Sequence, residues 1–112
     1  MFFNVREIDA PELARQLDEN ADSFEMVDVR EMPEIMAGTL PNARPMPLAT
    51  LPLKLNELDK SKTLVMVCRS GARSAQACMF LQQQGFDDVV NLRGGVMAWA
   101  QGRLPMALPQ AV

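Results

Sequence analysis

The stretch "VMVCRSGARSAQACMFL", Val65 to Leu81, is where the fold can be read most directly. With the two residues before it, it opens as "TLVMVC", Thr63 to Cys68, a nearly all-apolar run that predicts a strand buried on both faces. The run stops at a cysteine. Arg69, Ser70, Gly71, Ala72 and Arg73 follow, and "ARSAQACMFLQQQG" then predicts a helix. Its apolar face would carry Ala75, Cys78, Met79 and Leu81 or Gln82, with Gly85 as its stop. A strand that enters a helix through a tight glycine turn is the building unit of a parallel α/β sheet.

The flanking segments repeat the alternation. Upstream, "NVREI" predicts a short first strand, and "DAPE" a helix start with Asp9 as cap, Pro11 in the first turn and Glu12 completing a capping box. Leu13 and Leu17 share a face of that helix, and "FEMVDV", Phe24 to Val29, reads as a buried strand. "EMPEIMAG" predicts a short helix closed near Gly38. Pro41, Pro45, Pro47 and Pro52 imply extended chain and turns, with an edge strand at "ARPMPL". "LPLKLNEL" reads as a short helix. Downstream, "DVVNL" predicts the last strand and "GGVMAWAQG" a short helix between Gly94 and Gly102. The tail "RLPMALPQAV" reads as loose, with Leu104 and Met106 able to pack back. The fold class is therefore α/β, a mostly parallel sheet with helices on both faces. In such sheets ligands bind beyond the carboxyl ends of the strands, which is where Cys68 falls.

Bulk properties narrow the chemistry. At 112 residues, 48% hydrophobic and 22% charged, the chain has material for one compact domain. A net charge of -3 provides no general attraction for nucleic acid or for a membrane surface, so neither is an expected partner and any anion site must be local. With two cysteines and no histidine, neither a metal site nor a disulfide framework is expected. "MFFNVREID" does not read as a signal peptide, and no apolar run approaches the roughly 20 residues of a membrane span. The expected location is the cytoplasm, where thiols stay reduced. Met26, Met66 and Met79 read as core filler.

The turn after Cys68 points backbone N–H groups, and the positive end of a helix dipole, at one spot. Gly71 allows the turn, and Arg69 to Ser74 would cradle the sulfur. Such surroundings favour the thiolate, which is the nucleophilic form. Without histidine, activation has to be electrostatic, and Arg69 and Arg73 add the charge to hold an anionic substrate. Cys78, on the apolar helix face, reads as core.

The chain resembles the single-domain rhodaneses, a family of sulfurtransferases. The resemblance rests on "MVDVRE" at 26–31, Glu34 and Gly38 in "EIMAG", "LPNARPMPL", "VMVCRSGARS" at 65–74 and "GFDDVVNLRGGVMAWAQGRLP" at 85–105. It implies a five-stranded parallel sheet, a single domain over 1–105 and a C-terminal tail at 106–112. It further implies that Cys68 takes sulfur as a persulfide, held by the loop Arg69, Ser70, Gly71, Ala72 and Arg73, with Ser74 and Gly71 stabilising the loop. Asp28 and Arg30 match a structural pair: Asp28 is expected on loop backbone or an arginine, Arg30 on acidic partners such as Glu34. Arg93 stands either at the pocket rim or as a solvated arginine, and Trp99 matches a packing aromatic. No cofactor is implied. The implied partners are a small anionic sulfur donor such as thiosulfate, a thiol or cyanide acceptor, and a sulfur-relay protein.

One position departs from the pattern: many relatives read Gly-His-Ile where this chain has Gly38, Thr39 and Leu40. Two other readings compete. A phosphatase or arsenate reductase of related architecture also uses a loop cysteine and an arginine, but its loop is one residue longer. Here the arginine comes five places after the cysteine, at Arg73, and Ser74 is sixth. The remaining reading is a non-catalytic persulfide carrier or regulatory module, although inactive relatives commonly lack the cysteine.

Overall fold

The computed structural model describes residues 4–109. Five strands, β1 (Glu7–Ile8), β2 (Phe24–Asp28), β3 (Arg44–Pro45), β4 (Thr63–Val67) and β5 (Val89–Leu92), form one sheet in the order β1-β5-β4-β2-β3. Every strand pair in it is parallel. Among the described residues there are four α-helices: α1 (Ala10–Asn20), α2 (Met32–Met36) and α3 (Ala72–Gln83) each lie between consecutive strands, and α4 (Gly95–Gln101) follows β5. The segment expected as one helix around "LPLKLNEL" is instead two 3₁₀ segments, Leu48–Leu53, with Pro52 inside it, and Leu55–Glu57.

The two-residue strand period separates two cores. Leu64 and Met66 of β4, Val27 of β2 and Val89 of β5 pack under α3 with Ala77, Cys78 and Leu81. Val65 and Val67, Met26, Val90 and Leu92 face the other side, against Leu13 of α1 and Trp99 of α4. Cys68 continues the α3-facing series of Leu64 and Met66. Asn91 lies between Val90 and Leu92, so it also faces α3, in register with Glu7 on one side and Met66 on the other.

Local signals account for the helix ends. The Asp9 carboxylate accepts the Glu12 amide at 2.9 Å and Pro11 sits in the first turn. The Glu12 carboxylate, expected to complete that box, instead takes Arg15 and Gln16. A reciprocal capping box forms at α2, between Glu31 and Glu34.

Two expectations about packing are corrected. The buried face of α3 is Ser74, Ala77, Cys78 and Leu81, so Met79 lies on the outer surface, 36% exposed, and not in the core. The tail is not loose as far as Ala107. Thr39 and Ala107 exchange backbone hydrogen bonds of 2.9 and 2.8 Å, and the Trp99 indole donates to the Pro105 carbonyl at 2.7 Å. Leu104 packs back as expected, whereas Met106 stays partly exposed.

Candidate functional site

The loop at the carboxyl end of β4 encloses the Cys68 sulfur. Gly71 has φ +110°, in the left-handed region, and this turns the chain into α3 while aiming its amide at the sulfur, 3.0 Å away. Ser74 is the first inward position of α3, and its hydroxyl lies 3.2 Å from the same sulfur. Burial alone pushes the Cys68 thiol up. The Ser74 hydroxyl and the amides of Ser74, Gly71 and Ser70 outweigh it, and the group ends below the ordinary thiol range. Arg69, Ser70 and Ala72 form the exposed rim.

The start of α4 closes the base of the loop. Val96 and Met97 donate their amides to the carbonyls of Cys68 and Arg69, at 2.8 and 3.0 Å. This approach is open only to glycine at position 95: a Cβ there would sit 2.3 Å from the Cys68 carbonyl oxygen, at a backbone φ of +58°.

The two loop arginines play different parts. Arg69 is exposed, and no ion pair among the described residues holds it. Arg73 is engaged by Glu34 of α2 through two hydrogen bonds of 2.9 and 3.1 Å. Glu34 was expected on Arg30. Instead Arg30 forms a bidentate pair with Asp28, which lies on the same side of the extended chain two residues earlier, and it also donates to the Gly38 carbonyl. Thr39, the position that departs from the expected pattern, donates a 2.7 Å hydrogen bond to the same Asp28 carboxylate. Asp28, Arg30 and Thr39 are all buried; they brace the end of β2 beside the loop.

Arg93 turns to Glu7 on β1, with its side chain 64% exposed, and none of its hydrogen bonds among the described residues reaches the Cys68–Ser74 loop. A cavity of about 670 Å³ opens on the α1 and α4 side, lined in part by Leu17, Phe24, Arg44 and Trp99, and it includes no loop residue.

Asn91 was not singled out in the sequence. Its side-chain nitrogen donates to the Gly71 carbonyl at 3.0 Å and to Glu7 at 3.1 Å, while its oxygen faces the Ser74 hydroxyl. The signal for it was a carboxamide inside the otherwise apolar "VVNL" strand.

The comparisons with known proteins bear on the family and the fold. The rhodanese-like domain family matches residues 9–102. The chain belongs to the rhodanese-like family. It is 43% identical over 106 residues to a sulfurtransferase of Allochromatium vinosum, covering 95% of this chain and 98% of that one. A rhodanese-related protein from Thermoplasma volcanium superposes with a TM-score of 0.81 at 33% identity, covering 92% of this chain and 98% of the other. A rhodanese-like domain protein from Staphylococcus aureus gives 0.79 at 37% identity, covering 85% and 91%. The five-stranded parallel sheet of this rhodanese-like chain is the one its family implies.

Proposed function

We propose that this rhodanese-like chain transfers a sulfane sulfur through a persulfide on Cys68. The observation that carries the reading is the sulfur itself: it is buried at the end of β4, accepts the Gly71 amide at 3.0 Å and has the Ser74 hydroxyl at 3.2 Å. A thiolate in that position needs no histidine to activate it.

In the first step the Cys68 thiolate attacks the outer sulfur of thiosulfate. A Cys68 S–S bond forms, the donor's S–S bond breaks, and sulfite leaves with the electron pair. In the second step a thiolate or cyanide attacks the outer sulfur, and Cys68 departs as thiolate. The loop amides face the sulfur in both steps, so each anionic species meets donors already in place. Arg69, which no ion pair among the described residues holds, stands exposed at the rim to meet an incoming anion. Ser74 and Gly71 hold the loop, and Asp28 with Arg30 holds the strand end behind it.

A phosphatase reading is disfavoured because Arg73 already spends its fork on Glu34 and is not free to grip a tetrahedral oxyanion. The expected activity on a small aryl phosphate is none.

The test is the intact mass of the reduced protein before and after thiosulfate, beside Cys68→Ser. A gain of one sulfur, removed by cyanide and absent in the variant, supports the proposal. A persulfide that forms but passes on slowly would make the chain a carrier. No gain from any sulfane donor would overturn the reading.

A further inference from the structure

The polar groups behind the sulfur form a continuous chain: Cys68 Sγ, Ser74 Oγ, Asn91 Oδ1, with Asn91 Nδ2 bonded to the Gly71 carbonyl and the Glu7 carboxylate. Ser74 and Asn91 are each about 1% exposed or less, so water cannot substitute for a missing partner of either. Counting donors fixes the proton positions. A carbonyl and a carboxylate can only accept, so both Asn91 N–H groups are committed to them and the carboxamide oxygen must face Ser74. That oxygen accepts and never donates. Ser74 has one proton, which the oxygen and the sulfur cannot both receive.

We propose that Asn91 is a positioning residue that holds the Ser74 proton while Cys68 is a thiol or a persulfide, and yields it only to the bare thiolate. In the thiol, Cys68 S–H donates to Ser74, whose O–H donates to Asn91, and every group has a partner. When the thiol gives its proton to solvent, the sulfur becomes a strong acceptor and Ser74 O–H rotates to it. The buried Asn91 oxygen is then left without a donor. Once the sulfur carries a second sulfur atom it is again a weak acceptor, and the proton returns to Asn91. The carboxamide therefore opposes the free thiolate and favours the loaded form, which makes the unloaded sulfur the more reactive.

The charged groups around the sulfur are the rim cation Arg69, Arg73 on α3 with Glu34 of α2 behind it, the Asp28–Arg30 pair at the end of β2, and Glu7 of β1 behind Asn91. None of them takes part in the contest for the proton. The assignment rests on Cys68 being the working thiol, and its test needs no sulfur transfer.

The experiment is a pH titration of thiolate absorbance in the full chain, in wild type, Asn91→Leu, Ser74→Ala and the double variant. Cys78, pushed up to about 12 by burial, titrates outside the range. Asn91→Leu should raise the Cys68 ionisation constant about tenfold, because the sulfur gains an uncontested hydrogen bond. Ser74→Ala should lower it, and adding Asn91→Leu to Ser74→Ala should change nothing further. An equal change in both backgrounds, or weaker ionisation in Asn91→Leu, would mean that Asn91 only shapes the loop and would overturn the assignment. Should Asn91→Leu not fold, the Asn91 carboxamide carbon can be followed by NMR in wild type. It should shift with the Cys68 titration and stay fixed in Ser74→Ala, and an immobile wild-type signal would overturn the assignment. A protein that titrates as stated but takes no sulfur would overturn the transfer reading and the persulfide part of the assignment, and would support its thiol and thiolate part.

Discussion

Arg73 and Glu34 meet through a two-pronged pair, with contacts of 2.9 and 3.1 Å, that ties the loop helix α3 to α2. The pair neutralises Arg73, a loop cation whose charge interacts with Cys68. It also links the candidate site to the capping box of a neighbouring helix, since Glu34 is the residue that closes that box.

Glu34→Gln should release Arg73 toward Cys68. The rate of persulfide formation from thiosulfate should rise a few-fold at low ionic strength and fall back with added salt. Stopped-flow loading at two salt concentrations measures this, and an unchanged rate would show that the field of Arg73 does not reach the donor. The stability cost should be under about 1 kcal/mol, because both side chains are about a third exposed. The Arg73 guanidinium holds the Glu34 carboxyl down at about 2. A lowered carboxyl stabilises the fold above its unfolded value, about 4.3, and loses that contribution as pH falls toward 2. The wild-type advantage over Glu34→Gln in urea unfolding should therefore be full at pH 6 and vanish near pH 2.

Gly95→Ala should be among the most damaging single substitutions in the site. The new Cβ would meet the carbonyl oxygens of Cys68 and Arg69 at 2.3 and 2.5 Å, so backbone has to move. Adding the cost of a non-glycine residue at φ +58°, the loss should exceed about 2 kcal/mol. Denaturant midpoints test it, and persulfide loading should fall with them because the displaced carbonyls belong to the sulfur loop.

Arg30→Leu should cost about 3–5 kcal/mol by leaving the buried Asp28 carboxylate without its cation. Thr39→Val should cost less, about 1–3 kcal/mol, since it removes one hydrogen bond from the same carboxylate. Adding Asp28→Asn to Arg30→Leu should recover part of the loss, because the three groups share one network. A cost below about 1 kcal/mol for Arg30→Leu in urea unfolding would contradict a charged, buried Asp28.

The two thiols should separate cleanly in alkylation. Native protein at neutral pH should be modified by iodoacetamide at Cys68 alone, with Cys78 reacting only after unfolding, as peptide masses would show. Burial drives Cys78 up to about 12, and Glu7 adds to the shift. A raised thiol favours the fold while neutral. Its contribution is full below the unfolded value, about 8.5, and is lost as pH rises toward 12. Cys78→Val should flatten the decline in melting temperature between those limits.

Much of this fold was readable because its elements announce themselves locally. "TLVMVC" could be little other than a buried strand, and Gly85 and Gly102 fall where α3 and α4 end. The loop was readable for the same reason, since cysteine, glycine and arginine stand close together at a strand-to-helix junction. Met79 was misplaced because helical spacing leaves two candidate stripes on α3; the contact with β4 and β5 selects the one through Ser74, Ala77, Cys78 and Leu81. The tail looked loose because its anchor, the Thr39–Ala107 bridge, has no local pattern.

The sequence by itself determined the alternation of strands and helices, the parallel architecture and the position of Cys68 at a strand's carboxyl end, because these follow from residue periods of two and of about 3.6 and from glycine turns. Only the tertiary structure decided what surrounds the sulfur. The sheet places β5 between β1 and β4, which brings Asn91 and Glu7 behind Ser74, and it sets α2 beside α3, which gives Arg73 to Glu34. Those partners are between 17 and 84 residues apart, and no short-range pattern encodes a pairing that arises only when separate elements pack into one core.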